Sequence, residues 1–122
     1  MNVLIIDDND MTATLLQTIL ASDGYRILGP SRTGQSGLED AVKNRPDIIC
    51  LDINLPDGSG VEILKQLGKA LPETVVLMVT GTRDAATVKE CMENGAKGFL
   101  IKPLNATTVL KTINEVANRR AS

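Results

Sequence analysis

Short strand-like runs alternate along the chain with longer segments whose apolar residues recur every three or four positions. The runs are Val3 to Ile6, Arg26 to Leu28, Ile48 to Leu51, Val75 to Val79 and Gly98 to Ile101. The first, third and fourth are apolar on consecutive residues, as expected of parallel strands covered by helices on both faces; a strand with one face in water would alternate. The second run is short and mixed, which predicts an edge.

The first helix is predicted to begin at Asn9 or Asp10 as N-cap, to carry Leu15, Leu16, Ile19 and Leu20 on one face, and to stop at Gly24. Helices follow over Gly37 to Asn44, Val61 to Leu71, Asp84 to Asn94 and Asn105 to Arg119, with Pro46, Pro72 and Gly95 marking three of the ends. Val109, Leu110, Ile113, Val116 and Ala117 make the last of these amphipathic. Five βα units, short connections and no linker predict one α/β domain with a doubly wound, five-stranded parallel sheet, because crossovers between parallel strands are right-handed. Such sheets bind ligands at the carboxyl ends of their strands, near the point where strand order reverses.

Composition narrows the chemistry. The 122 residues suit one core, and with aromatics at 2% that core must be built from Val, Ile, Leu, Met and Ala. A net charge of −2 without a basic run argues against direct nucleic-acid contact. The absence of histidine removes His-based triads, imidazole metal sites and an internal phosphohistidine. Neither GxxxxGK[ST] nor GxGxxG occurs, so any phosphate that is handled arrives on another molecule. Cys50 and Cys91 lack CxxC spacing and read as buried small hydrophobes of a reducing cytoplasm. With no basic-flanked leader and no run approaching the ~18 apolar residues of a membrane span, neither export nor anchoring is expected.

At the carboxyl ends of the predicted strands stand Asp7 and Asp8, then Asp52, Thr80 and Lys102. Each interrupts an apolar run at the same end of its strand. Three carboxylates gathered there repel one another unless they protonate or a cation neutralises them, and an oxygen-only donor set suits Mg²⁺. Asp7, Asp8 and Asp10 read equally, taken alone, as acids favouring the start of the first helix; Asp52, on another strand, favours the metal. Thr80 alone would pass for a turn residue before Gly81, and Lys102 for a solvated lysine.

The segments "VLIIDDND", "IICLDINLPDGSG", "VLMVTGT" and "GAKGFLIKP" together resemble the landmarks of a bacterial response regulator receiver domain, chemotaxis regulators included, over nearly the whole chain. The resemblance implies a flavodoxin-like (βα)5 fold with strand order 2-1-3-4-5, and residues 1–122 as a single receiver domain. It further implies that Asp52 is the phosphoacceptor, that Asp8 and the backbone carbonyl of Asn54 join it in holding Mg²⁺, and that Asp7 acts mostly through bound water. Lys102 and Thr80 would contact the transferred phosphoryl oxygens, and Thr80 with Phe99 would form the conformational switch. The peptide bond to Pro103 is commonly cis in this family. Asn54 and Thr82 fall where the family varies side chains that tune dephosphorylation, whereas Pro56, Gly58 and Gly60 are read as shaping the loop after Asp52.

As partners the resemblance implies a sensor histidine kinase or histidine phosphotransfer protein, docking near Met11, Thr12, Leu15 and Asn105, with small donors such as acetyl phosphate as substitutes. A downstream effector or fused output domain would read the face formed by Ala85 to Asn94, Phe99 and Ala106 to Arg119, whose charges read equally as a solvated surface. The expected role is cytoplasmic phosphorelay signalling, not enzymatic turnover of a metabolite, although self-phosphorylation from small donors and self-dephosphorylation are expected. The competing readings are a phosphorylation-independent adaptor of the same fold, a small flavin-binding domain, for which "DDND" and one Tyr plus one Phe are a poor site, and the receiver portion of a longer regulator.

Overall fold

The five runs pair in one sheet, and the three that are apolar on consecutive residues lie inside it because they are too hydrophobic for a surface. The computed structural model describes residues 1–81 and 84–121. Its elements are β1 (Asn2–Ile6), α1 (Asp10–Ser22), β2 (Arg26–Ser31), α2 (Gly34–Asn44), β3 (Ile48–Asp52), β4 (Asn54–Leu55), β5 (Gly58–Ser59), α3 (Gly60–Ala70), β6 (Val75–Thr80), α4 (Ala85–Glu93), β7 (Gly98–Ile101) and α5 (Ala106–Ala121). The main sheet is parallel throughout in the order β2-β1-β3-β6-β7, which is the expected 2-1-3-4-5 once the small β4–β5 pair is set aside.

Strand alternation divides the core. Val3, Ile5, Ile48, Cys50, Leu77, Val79 and Leu100 face α1 and α5, while Leu4, Ile6, Ile49, Leu51, Val76 and Met78 face the side covered by α2, α3 and α4. Both faces of β1, β3 and β6 are therefore buried, which is the reason those runs are apolar without interruption. Cys50 and Cys91 are free and buried in opposite layers, where they act as small hydrophobes. No helix of the described residues is long and apolar enough to cross a membrane.

Several boundaries differ from the sequence pattern. Strand β2 runs on to Ser31 through Gly29 and Pro30, and its register against β1 shifts between Leu4 and Ile6. An edge strand tolerates proline because the missing N–H need not join a second ladder. On α1, Leu15 stays 42% exposed, and Ala13 takes the inward position alongside Leu16, Ile19 and Leu20. Helix α2 starts at Gly34, three residues before the predicted Gly37, because Thr33 and Ser36 form a reciprocal capping box. The antiparallel pairing of β4 with β5 carries no periodic signal and was not predicted.

The start of α1 rests on Asn9, whose side-chain oxygen accepts the Thr12 N–H at 2.9 Å. Asn9→Ala removes that acceptor and is expected to lower stability by about 1 kcal/mol in chemical denaturation.

Candidate metal centre

Four strand ends converge because a parallel sheet places every carboxyl end on one edge. Asp7 follows β1, Asp52 closes β3, Thr80 closes β6 and Lys102 follows β7. Asp7, Asp52 and Thr80 are only 2%, 5% and 3% exposed, whereas Asp8 lies in the open. Oxygens of Asp7, Asp8 and Asp52 all lie within 4.8 Å of one another. The Lys102 ammonium stands 3.9 Å from Asp52 Oδ2.

Backbone hydrogen bonds hold these groups in place. Lys102 N–H donates to the Thr80 carbonyl at 2.8 Å, which fixes the lysine beside the threonine, and Ile53 N–H donates to the Val79 carbonyl at 3.2 Å. Asp7 Oδ1 accepts the Asn9 N–H at 2.8 Å, and Asp52 Oδ1 accepts the Asn54 N–H at 3.2 Å. Asp7 Oδ2 is different: among the described residues it is the buried side-chain oxygen without any hydrogen-bond partner. A buried carboxylate oxygen left in that state is unfavourable unless a cation or water reaches it.

The electrostatics agree. Burial, and behind it the negative charge of Asp7, pushes the Asp52 carboxyl up to about 6 from its ordinary 3.8, against the opposing pull of the Asn54 N–H and Lys102. The donor set is all oxygen, carries excess negative charge and belongs to a residue group that includes the orphaned Asp7 Oδ2, so its chemistry fits a hard divalent cation such as Mg²⁺. A cavity of about 600 Å³ between α3 and α4 is bordered by Thr74 and Lys97 at the opposite, amino-terminal ends of the strands and includes none of these residues.

The other sequence candidates fall as follows. Asn54 is exposed on β4, next in the chain but one after Asp52. Asp10 does not join the cluster: its side chain pairs with Arg32. Phe99 is half-buried on β7 beside Met78, and strand alternation puts Thr80 two residues further along the same face, the one covered by α4. The Lys102–Pro103 peptide bond is cis. Thr82 lies outside the described residues. Gly60, read from sequence as a loop former, proves to be a point of close approach: a Cβ there would lie 2.2 Å from the Asp52 carbonyl oxygen. Asp57 escaped the sequence reading altogether, since its partners, the N–H groups of Gly34 and Gln35, lie more than twenty residues away.

With a doubly wound parallel sheet and a buried aspartate close to an acid pair and a lysine, the chain belongs to the response regulator receiver domain family, a class of signalling domains, which it matches over residues 3–114. It is 30% identical over 115 residues to the chemotaxis protein CheY of Thermotoga maritima, covering 94% of this chain and 96% of that one. It is 35% identical to the transcriptional regulatory protein LnrK of Bacillus subtilis over 115 residues, but spans only 52% of that relative's length. Among solved structures, the chemotaxis protein CheY4 of Vibrio cholerae superposes with a TM-score of 0.87 at 32% identity, over 94% of this chain and 97% of that one. A CheY-like receiver domain protein of Methanospirillum hungatei gives 0.90 at 28% identity, over 98% and 95%. Receiver domains act in two-component signalling, bind Mg²⁺ at an acidic pocket and work between histidine kinases and output effectors.

Proposed function

We propose that this chain, as a single receiver domain, accepts a phosphoryl group on Asp52 in a Mg²⁺-dependent reaction and thereby changes a partner-binding face. The observation that carries this reading is the position of Asp52: buried, with oxygens of Asp7 and Asp8 within 4.8 Å and the Lys102 ammonium at 3.9 Å. Asp7, Asp8, Asp52 and the Asn54 carbonyl would hold Mg²⁺, which supplies positive charge beside the transferring phosphoryl oxygens. Asp52 must be ionised to act, and an oxygen of its carboxylate then bonds to phosphorus as the bond from phosphorus to the donor's imidazole nitrogen, or to acetate oxygen in acetyl phosphate, breaks. The electron pair of that bond leaves with the donor. Lys102 offsets the charge of the phosphoryl group through a charge-assisted contact, and the Thr80 hydroxyl donates a hydrogen bond to one of its oxygens.

The switch follows from the shared face of Thr80 and Phe99. Movement of Thr80 toward the phosphoryl group leaves room behind it for the Phe99 ring, and the surface of α4, β7 and α5 changes for an effector or a fused output domain. Contacts made only after phosphorylation bias such an equilibrium by their differential strength. On the donor side, Met11 is 84% and Leu15 42% exposed on α1, next to the acidic rim, which supports docking of a histidine kinase or phosphotransfer protein there. Thr12 is half-buried beside them, and exposed Asn105 caps α5 by accepting the Thr108 N–H at 2.8 Å.

The test is incubation with acetyl phosphate and Mg²⁺ followed by intact-mass analysis. Wild type is expected to gain one hydroxylamine-sensitive phosphoryl group, and both Asp52→Asn and wild type in EDTA to gain none. A wild type that stays unmodified under donor excess contradicts the proposal and leaves a binding-only adaptor.

A further inference from the structure

We propose that Asp57 is a positioning residue of the cation site, clamping the tip of the loop that presents Asn54 onto the first turn of α2. This rests on the Mg²⁺-binding reading above and assigns a role to a residue outside the acid cluster.

Helix α2 supplies its own cap: Thr33 Oγ1 accepts the Ser36 N–H at 3.0 Å, and the Thr33 carbonyl accepts the Gly37 N–H at 2.9 Å. Two N–H groups of the first turn remain, those of Gly34 and Gln35. Asp57 takes both, with Oδ1 at 2.7 Å from Gly34 N and Oδ2 at 3.0 Å from Gln35 N. A carboxylate gripped by two donors at a helix start has little freedom left, because leaving means giving up two charge-assisted bonds and a favourable dipole.

Asp57 stands at the turn of the β4–β5 hairpin, in which Asn54 pairs with Ser59 and Leu55 with Gly58. The base of this loop is closed by the Gly60 N–H donating to the Ile53 carbonyl at 2.6 Å, and Leu55 is buried in the core layer beneath α2 and α3. Among the described residues the hydrogen bonds between the hairpin tip and α2 are those of Asp57, and a hairpin with two residues to a strand is weak by itself. The clamp also reaches the other half of the site. Helix α2 lies so close to β1 that a Cβ on Gly37 would meet Ile6 side-chain atoms at 2.7 Å, and Ile6 immediately precedes Asp7. Through α2, Asp57 therefore sets the strand of Asn54 in register with the strand of Asp7.

The experiment titrates full-length protein with MgCl₂ by calorimetry and by ¹⁵N amide spectra, comparing wild type, Asp57→Ala, Asp57→Asn and Thr33→Ala. Asp57→Ala is expected to shift the Gly34 and Gln35 amides and to weaken Mg²⁺ binding about 10-fold, the scale typical of groups that orient metal ligands. Asp57→Asn keeps one acceptor oxygen but loses the charge and turns an NH₂ toward the second donor, so it is expected to bind Mg²⁺ with an affinity between those of Asp57→Ala and wild type. Thr33→Ala removes the other cap of α2 and leaves the Asp57 carboxylate in place, and is expected to lower the melting temperature with a smaller loss of Mg²⁺ affinity than Asp57→Ala. The inference is overturned if Asp57→Ala binds as tightly as wild type, or if Thr33→Ala weakens binding as much as Asp57→Ala. A wild type that binds no Mg²⁺ sinks the proposed function and this inference together, whereas failure at Asp57 alone leaves the former standing.

Discussion

Asp52→Asn is expected to make the metal-free protein more stable at pH 7, by about 3 kcal/mol. In the unfolded chain the carboxyl titrates near its ordinary 3.8, and in the fold near 6 because burial and Asp7 disfavour its charge. That rise corresponds to about 3 kcal/mol against the ionised form. Below about pH 4 both states hold the proton and the group contributes nothing. Between about 4 and 6 the folded state keeps a proton that the unfolded state has released, so stability falls as pH rises, and above 6 the whole unfavourable term is present. Asparagine resembles the protonated acid and removes this slope. Asp57 and Asp84 act oppositely: hydrogen bonds from Gln35 and Gly34 to the first, and from Thr87 to the second, hold their carboxyls below the usual range, so what they contribute is lost as pH falls. The difference between wild type and Asp52→Asn across pH 4 to 8, in urea with EDTA, reports Asp52 together with the neighbouring Asp7, whose charge acts on it. Adding Mg²⁺ at pH 7 should then stabilise wild type and leave Asp52→Asn unchanged. A substitution that is neutral or destabilising in EDTA at pH 7 would show that the site carries no such strain.

Gly60→Ala is expected to be the most damaging small substitution in the chain. The added methyl would lie 2.2 Å from the Asp52 carbonyl oxygen, 2.9 Å from Ile53 Cα and 3.0 Å from the Asp52 carbonyl carbon. All three atoms are backbone and none can rotate away, so either α3 retreats from the sheet or the end of β3 shifts. Forced repacking of this kind costs ~3 kcal/mol, and the 2.6 Å bond from Gly60 N–H to the Ile53 carbonyl is strained with it. Because β3 ends at Asp52, the acceptor is displaced as well, and modification by acetyl phosphate should fall with stability. Gly68 in the same helix is the control: its added Cβ would find only the Asn94 carbonyl oxygen at 3.8 Å. Gly68→Ala should therefore raise stability by about 0.5–1 kcal/mol through helix propensity alone. Equal denaturation midpoints for the two variants would refute the close approach at Gly60.

Where the sequence reading stopped short, the reason was the range of the forces involved. Leu15 looked like a core residue because leucine recurs at helical spacing, yet the sheet surface admits Ala13 in its place and leaves Leu15 exposed. The predicted second strand stops at Leu28, although at an edge the backbone requirements of Gly29 and Pro30 are met without ending the strand. Helix α2 was started too late because its box of Thr33 and Ser36 lacks the acidic residue that usually marks one. In the sequence Asp10 reads, with Asp7 and Asp8, as an acid favouring the start of the first helix, and only the position of Arg32 after β2 shows which way it turns.

The sequence alone determined the five strands, the burial of β1, β3 and β6 on both faces and the edge on which Asp7, Asp8, Asp52, Thr80 and Lys102 emerge, because alternation and helical spacing are local and every apolar residue reports its own need for burial. Only the tertiary structure decided the electrostatics of that edge. The orphaned oxygen of Asp7, the raised carboxyl of Asp52, the lysine held at 3.9 Å and the grip of Asp57 on α2 all depend on distances between residues far apart in the chain. A charge's behaviour is set by what surrounds it in space, and that is fixed only when the strands have paired and the helices have closed over them.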